Sequence, residues 1–185
     1  MQNFDDILKG GDLRSIGHSN NVVSLIHNQE SFDKLFQQLF HNDRKVVMRT
    51  ADAIEKMTLN NRDYLKRHKK DILKLCDTAK NIELKWHLAL LISRVSLTKK
   101  EVGKVWQILT GWALDRNESK IVRVNSIQGL FNLLAQHPEL KQDFDLTIAE
   151  TRRENIPSIN ARIKKLKNAA PANIAASQVG YCKQK

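Results

Sequence analysis

The chain has 185 residues with 31 Lys+Arg against 20 Asp+Glu, a formal net charge of +11, so one domain with an appetite for nucleic acid or an acidic protein is expected. Only 7 Gly and 3 Pro leave few turn-formers for a many-stranded sheet, while 41% hydrophobic and 28% charged residues are ordinary for a soluble globular protein. No apolar run approaches the roughly 20 residues that span a bilayer, and Met1 to Asp6 lack the basic-then-apolar pattern of a secretory leader. Two cysteines, Cys76 and Cys182, form no disulfide framework or metal spacing, so a reducing, cytoplasmic location is expected with no metal and no cofactor.

The charge is unevenly spread. Residues 1 to 60 carry 7 basic and 8 acidic side chains, whereas 61 to 115 and 116 to 185 each carry 12 basic and 6 acidic. The positive field therefore belongs to the last two thirds, unless those cations only solvate outer helix faces.

In chain order, Val22 to Ile26 predicts a short helix that covers one end of the molecule. Ser31 stands as an N-cap before the stripe Phe32, Leu35, Phe36, Leu39 and Phe40. A second helix follows with Val46, Thr50, Ala53, Ile54 and Met57 at 3.6-residue spacing. The next pair opens at Asn61 with Tyr64, Leu65, Ile72, Leu73 and Cys76, and continues with Leu84, Leu88, Leu91, Ile92 and Val95. Thr98 and Glu101 form a capping box ahead of Val102, Val105, Trp106, Leu109 and Trp112. Val122, Ser126, Gly129, Leu130 and Leu133 mark the following helix. A shorter pair, Glu139 to Glu154 and Pro157 to Lys167, closes the array, with Pro157 suited to a first helical turn.

The three second helices align without gaps at a shift of 38 residues, from Val46 to Leu84 to Val122. A period of that size means stacked supersecondary units, each shielding the apolar side of the next. Expected repeats are 20–58, 61–95, 98–136 and 139–168 within one domain spanning 1–168, followed by a flexible tail at 169–185. Small residues at Ala53 and Gly129 let a facing helix approach closely, and packing is the reason for a glycine that costs helix propensity.

Asp43 with Val46 to Ile54, and Ile121 to Leu130, resemble the HEAT repeat, whose second helix reads as an acidic turn residue, then valine, arginine and spaced alanine and leucine. The strings Arg49 to Lys56, Lys85 to Ala89 and Ala161 to Leu166 are similar to a group of small bacterial HEAT-like proteins. The resemblance covers residues 20 to 168 and departs from the pattern where Leu88 and Leu91 replace small residues. It implies an all-α, right-handed α-α superhelix of about four helical hairpins, with the second helices lining a concave side.

On that concave side the 38-residue register places Arg49, His87 and Asn125 on one row, Lys56, Arg94 and Asn132 on the next, and Val47, Lys85 and Arg123 on a third. Arg and Lys there would neutralise phosphates or carboxylates, while Asn and His add directional hydrogen bonds. The alternative for Arg49 and Arg123 is that they bridge neighbouring repeats or cap loops. Trp86, beside Lys85 and His87, is either a stacking platform or a buried interface residue. Trp106 and Trp112 read as core, and Lys66-Arg67-His68-Lys69-Lys70 as a basic outer face that either touches nucleic acid or is simply solvated.

No glycine-rich phosphate loop, His-Glu-x-x-His, Gly-x-Ser-x-Gly or CxxC pair is present, and the six histidines are scattered. A non-catalytic scaffold, monomeric, binding a protein in its concave groove is therefore expected, with no membrane and no small-molecule cofactor. Nucleic-acid binding through the basic repeats is the alternative. Some HEAT-like solenoids are DNA glycosylases, and Asp52 with Trp86 would serve as acid and aromatic, yet the tryptophan-rich acidic segment of those enzymes has no counterpart here. Charge reversal at Lys85, Arg94 and Arg123 is expected to abolish binding with helicity intact.

Overall fold

The computed structural model describes residues 4–9 and 21–169, and among them there is no strand. Of the tail expected at 169–185, all but Ala169 lies outside the described residues, as does Cys182. The helices are α1 (Phe4–Lys9), α2 (Gln29–Gln37), α3 (Arg44–Asn60), α4 (Lys69–Thr78), α5 (Ile82–Leu91), α6 (Lys99–Leu114), α7 (Lys120–Leu133), α8 (Lys141–Arg153) and α9 (Pro157–Lys167). Of the expected end-covering helix, residues 21–23 are helical and lead into a turn, and Val22 and Ile26 are buried.

Helices α2, α3, α6 and α7 start where a side chain satisfies orphan amides of the first turn. Asn28, not Ser31, caps α2: its side chain accepts from the Ser31 amide at 2.9 Å, and the Ser31 hydroxyl accepts from the Asn28 amide at 3.3 Å. The helix thus begins three residues ahead of the sequence expectation, because either residue type serves and only the backbone decides. Asp43 caps α3 through the Lys45 amide at 2.8 Å, and Ser119 caps α7 through Val122 at 3.3 Å. Pro157 occupies the first turn of α9.

Asn61 caps no α-helix. It precedes a 3-10 segment, Arg62–His68, that runs into α4, so the expected continuous helix changes pitch midway. Three residues per turn instead of 3.6 rotates the side chains out of phase. His68 is carried inward, where its ring stacks on Phe36 at 3.9 Å and its Nε2 meets Asp33 Oδ1 at 2.6 Å. Shorter 3-10 turns end the first strip of the fold at Gln38–Phe40, extend α5 at Ile92–Arg94 and lead into α8 at Pro138–Leu140.

Successive hairpins, α2/α3, α4/α5, α6/α7 and α8/α9, stack so that α3, α5, α7 and α9 pack in order against one another, with α4, α6 and α8 behind them. One apolar core runs unbroken from Phe4 and Leu8 to Ile163 and Leu166. Its fully buried Leu, Ile and Phe side chains each contribute on the order of 1.5–3 kcal/mol of transfer free energy, against the chain entropy of ordering them. The approach of α5 to α7 is set by Gly129, whose missing side chain leaves room for the Ala89 carbonyl oxygen. Leu88 and Leu91, in place of small residues, are wholly buried beside that contact.

The Thr98–Glu101 box at the start of α6 is present, and it reaches into the preceding repeat. Glu101 Oε2 accepts from the Thr98 amide at 2.7 Å and from Lys69 Nζ at 2.9 Å. The Thr98 amide first, then the Lys69 ammonium, hold the Glu101 carboxyl down at about 2. An unfolded-chain glutamate titrates near about 4.3, so this stabilisation is complete above that pH and is lost as pH falls through about 2. In a carboxyl carbon NMR titration, Glu101 is expected to reach its midpoint near about 2 and to move upward in Lys69→Gln; a midpoint at the ordinary glutamate value would contradict this geometry.

Candidate functional site

The charged residues of the second helices are mostly engaged with the neighbouring repeat. Arg49 is completely buried at the α3–α1 contact and donates from Nη1 to the Leu8 carbonyl in the last turn of α1. Arg123, 2% exposed, repeats the device: Nε donates to the Ala113 carbonyl in the last turn of α6 at 2.9 Å. Its Nη1 and Nη2 grip the two Glu154 carboxylate oxygens at 3.0 and 2.6 Å. A helix C-terminus has unpaired carbonyls and a partial negative charge, which a guanidinium satisfies on both counts. The Arg123 hydrogen bonds pull the Glu154 carboxyl below its usual range.

Lys85, one repeat before Arg123, pairs with Glu118 and sits 5.7 Å from the centroid of the Trp112 ring. Arg94 donates to the Glu55 carbonyl at 2.6 Å and to Thr58 Oγ1 at 2.8 Å. His87 Nδ1 meets the Glu55 carboxylate, so α3 and α5 are joined twice through one residue. Burial pulls the Arg94 guanidinium down while Glu55 holds it up, and the arginine stays charged. Lys56 pairs with Asp52 at 2.6 Å within α3. That pair occupies the carboxylate that the glycosylase analogy would need as a free acid.

The structure does not assemble an open row of cations from Arg49, Lys85, His87, Arg94 and Arg123, because each is turned onto a partner one repeat away or onto a helix end. Val47 is buried in the core. Charge reversal at Lys85, Arg94 and Arg123 therefore cannot leave the helices undisturbed: it would oppose Glu118, Glu55 and Glu154 inside the stack.

What remains toward solvent on the second helices is different in character. Trp86 and Leu90, one turn apart on α5, are half-buried, as is Val124, 38 residues on from Trp86 in α7. Around them lies a chain of amides: Asn125 Nδ2 donates to the Trp86 carbonyl at 3.4 Å, Asn132 Nδ2 to Ser93 Oγ at 3.2 Å, and Gln128 Nε2 to Asn132 Oδ1 at 2.8 Å. Arg162 on α9 completes it by donating to Gln128 Oε1 at 2.7 Å. Leu90, Gln128 and Arg162 have no place in the sequence-predicted rows. Leu90 follows Trp86 by one helical turn, and Val124 precedes Gln128 likewise, which is the signal that marks a shared face.

The outer basic cluster is dispersed in the same way. Lys66 pairs with Asp63, Arg67 and His68 with Asp33, and Lys69 with Glu101. Trp106 is buried core and Trp112 half-buried against it. Burial, with Asp77 adding to it, pushes the Cys76 thiol up to about 12, which leaves no thiolate at neutral pH. Among the described residues no group of three or more His, Cys, Asp or Glu could hold a metal ion, and no helix is long and apolar enough to cross a membrane.

No curated protein and no solved structure matches the chain. The HEAT repeat domain profile matches residues 11–170, the stretch that holds the stacked hairpins and their inter-repeat bonds. With that match over most of its length and an all-α solenoid built from paired helices, the chain belongs to the HEAT repeat domain family.

Proposed function

We propose that the chain is a non-catalytic scaffold that holds a segment of another protein along its second-helix face, with Trp86 and Leu90 at the centre of the contact. HEAT repeat domains are helical scaffolds often used for protein interaction. The observation that carries the reading is the contrast on one face: its cations are spent on internal partners, while an indole and a leucine stay half-open among amide groups. Trp is enriched among binding anchors, and surrounding amides satisfy an extended backbone without selecting for charge.

Trp86→Ala and Leu90→Ala are each expected to weaken partner binding about tenfold or more, roughly 1.4 kcal/mol, with circular dichroism unchanged. Affinity capture with the full chain at about 50 and 200 mM salt separates the classes, because phosphate-dominated binding falls by orders of magnitude over that range. A polypeptide retained at the higher salt and lost in both variants supports the reading. Capture of nucleic acid that salt releases, indifferent to Trp86 and Leu90, overturns it.

A further inference from the structure

The last hairpin borders an open cleft that the scaffold reading does not use. Arg152 in the final turn of α8, Asn155 in the connecting turn, and Asn160, Ile163, Lys164 and Lys167 on α9 surround a volume of about 400 Å3. That lies within the roughly 300–1,000 Å3 of small-molecule sites. Asn160, Lys164 and Lys167 follow each other at helical spacing on one face of α9. Asn155, in the left-handed region at φ 50°, shapes the turn, and its Oδ1 accepts from Asn160 Nδ2 at 2.9 Å.

Two features set this cleft apart. First, it is cationic without compensation. Glu150 is held by Arg153 and Glu154 by Arg123, each at 2.6 Å, and α9 contains no acidic residue at all. Arg152, Lys164 and Lys167 have no ion pair among the described residues, in contrast to the struts of the inner face. Cations in a last turn complement one helix dipole, but nothing in that effect makes two helices aim theirs into the same cleft. Second, Asn160 Oδ1 is buried with no hydrogen-bond partner, an acceptor left over in a site otherwise made of donors.

We propose that this cleft binds a small phosphorylated molecule that also carries a hydroxyl group, the chemistry shared by sugar phosphates and nucleotides. The Arg152 guanidinium grips two phosphate oxygens as a fork, and Lys164 and Lys167 neutralise the remaining charge. The hydroxyl donates to Asn160 Oδ1. The sequence has no glycine-rich phosphate loop, so recognition rests on side chains rather than on backbone amides. The site stands or falls separately from the Trp86 face.

The test is a titration of the full chain with inorganic phosphate, ribose 5-phosphate and adenosine monophosphate at constant ionic strength, followed through the amide resonances of residues 152 to 167. Saturable shifts are expected with both organic phosphates, tighter than with inorganic phosphate. The exposed-residue double variant Lys164→Gln/Lys167→Gln should bind at least tenfold more weakly with its fold intact. Lys99→Gln/Lys100→Gln, at an exposed pair on α6, should stay within twofold of the parent. Non-saturating shifts, equal losses in both double variants, or inorganic phosphate binding as tightly as the organic phosphates would each overturn the proposal.

Discussion

Gly129→Ala is expected to destabilise the protein by about 2 kcal/mol, although alanine in place of glycine normally strengthens a helix by about 1 kcal/mol. A Cβ at residue 129 would overlap the Ala89 carbonyl oxygen and press on Leu109 Cδ1 at 3.2 Å. The first of these is backbone in the facing helix α5, which cannot swing aside as a side chain does. The stack must open along the α5–α7 contact, taking Leu88, Leu91, Ile127 and Leu130 out of register. Gly129→Val should be worse by a further margin. Gly103 and Gly111 in α6 supply the control, since a Cβ at either meets nothing within 4 Å. Alanine there is expected to stabilise by roughly 0.5–1 kcal/mol. Urea unfolding of the three variants should thus give opposite signs for the same chemical change, and a stabilised Gly129→Ala would refute the close approach.

Arg123→Met should cost about 3–5 kcal/mol. The substitution fills much of the arginine's volume but leaves Glu154 without its bidentate partner and the Ala113 carbonyl without a donor. Arg116, whose side chain is 72% exposed and 3.8 Å from the same carboxylate, cannot take over. Arg116→Met should change stability by less than about 0.5 kcal/mol. The same pair gives a pH signature. Because Arg123 holds the Glu154 carboxyl below its unfolded value, its contribution is complete above about pH 4.3 and disappears as pH falls through the lowered folded value. Acid unfolding of Arg123→Met should therefore lose this steepness, and an unaltered acid limb would count against the assignment.

The fold is legible in the sequence because burial follows a local rule. Apolar residues at 3.6 spacing in Val46 to Met57, Leu84 to Val95 and Val122 to Leu133 need no knowledge of distant residues to be read as one buried side, and their 38-residue recurrence then dictates stacking. Even Gly129 is legible, since it falls on the same position of the second helix as the small residue Ala53, whereas Gly103 and Gly111 lie on a first helix, where a Cβ would meet nothing within 4 Å. Polar positions obey no such rule. Whether Lys85 or Arg123 faces a ligand or a strut depends on Glu118 and Glu154, acids in the turns before the next second helix and more than 30 residues away in the chain. Their placement before Lys120 and Pro157 recurs from one repeat to the next, and that recurrence is the sequence trace of the struts. His68 is hidden for another reason: a change from α to 3-10 pitch rotates it from an apparent basic surface onto Phe36.

Trp86 is legible in the sequence as a residue of interest, but its setting is not. Its carbonyl is held by Asn125 and its neighbour His87 is locked to Glu55, so the indole stands at a rigid point of the stack rather than on a loose surface. Rigid aromatic anchors lose little entropy on binding, which suits the proposed scaffold role.

The stitching of repeats by their inner-face charges is tested most directly by a double-mutant cycle on Arg123 and Glu154, with Arg123→Met, Glu154→Gln and the double variant unfolded in urea. A coupling energy of about 1–3 kcal/mol is expected, with the double variant more stable than the sum of the single losses implies. A coupling near zero, with both single variants as stable as the parent, would contradict it and return Arg123 to the set of residues free to meet a partner.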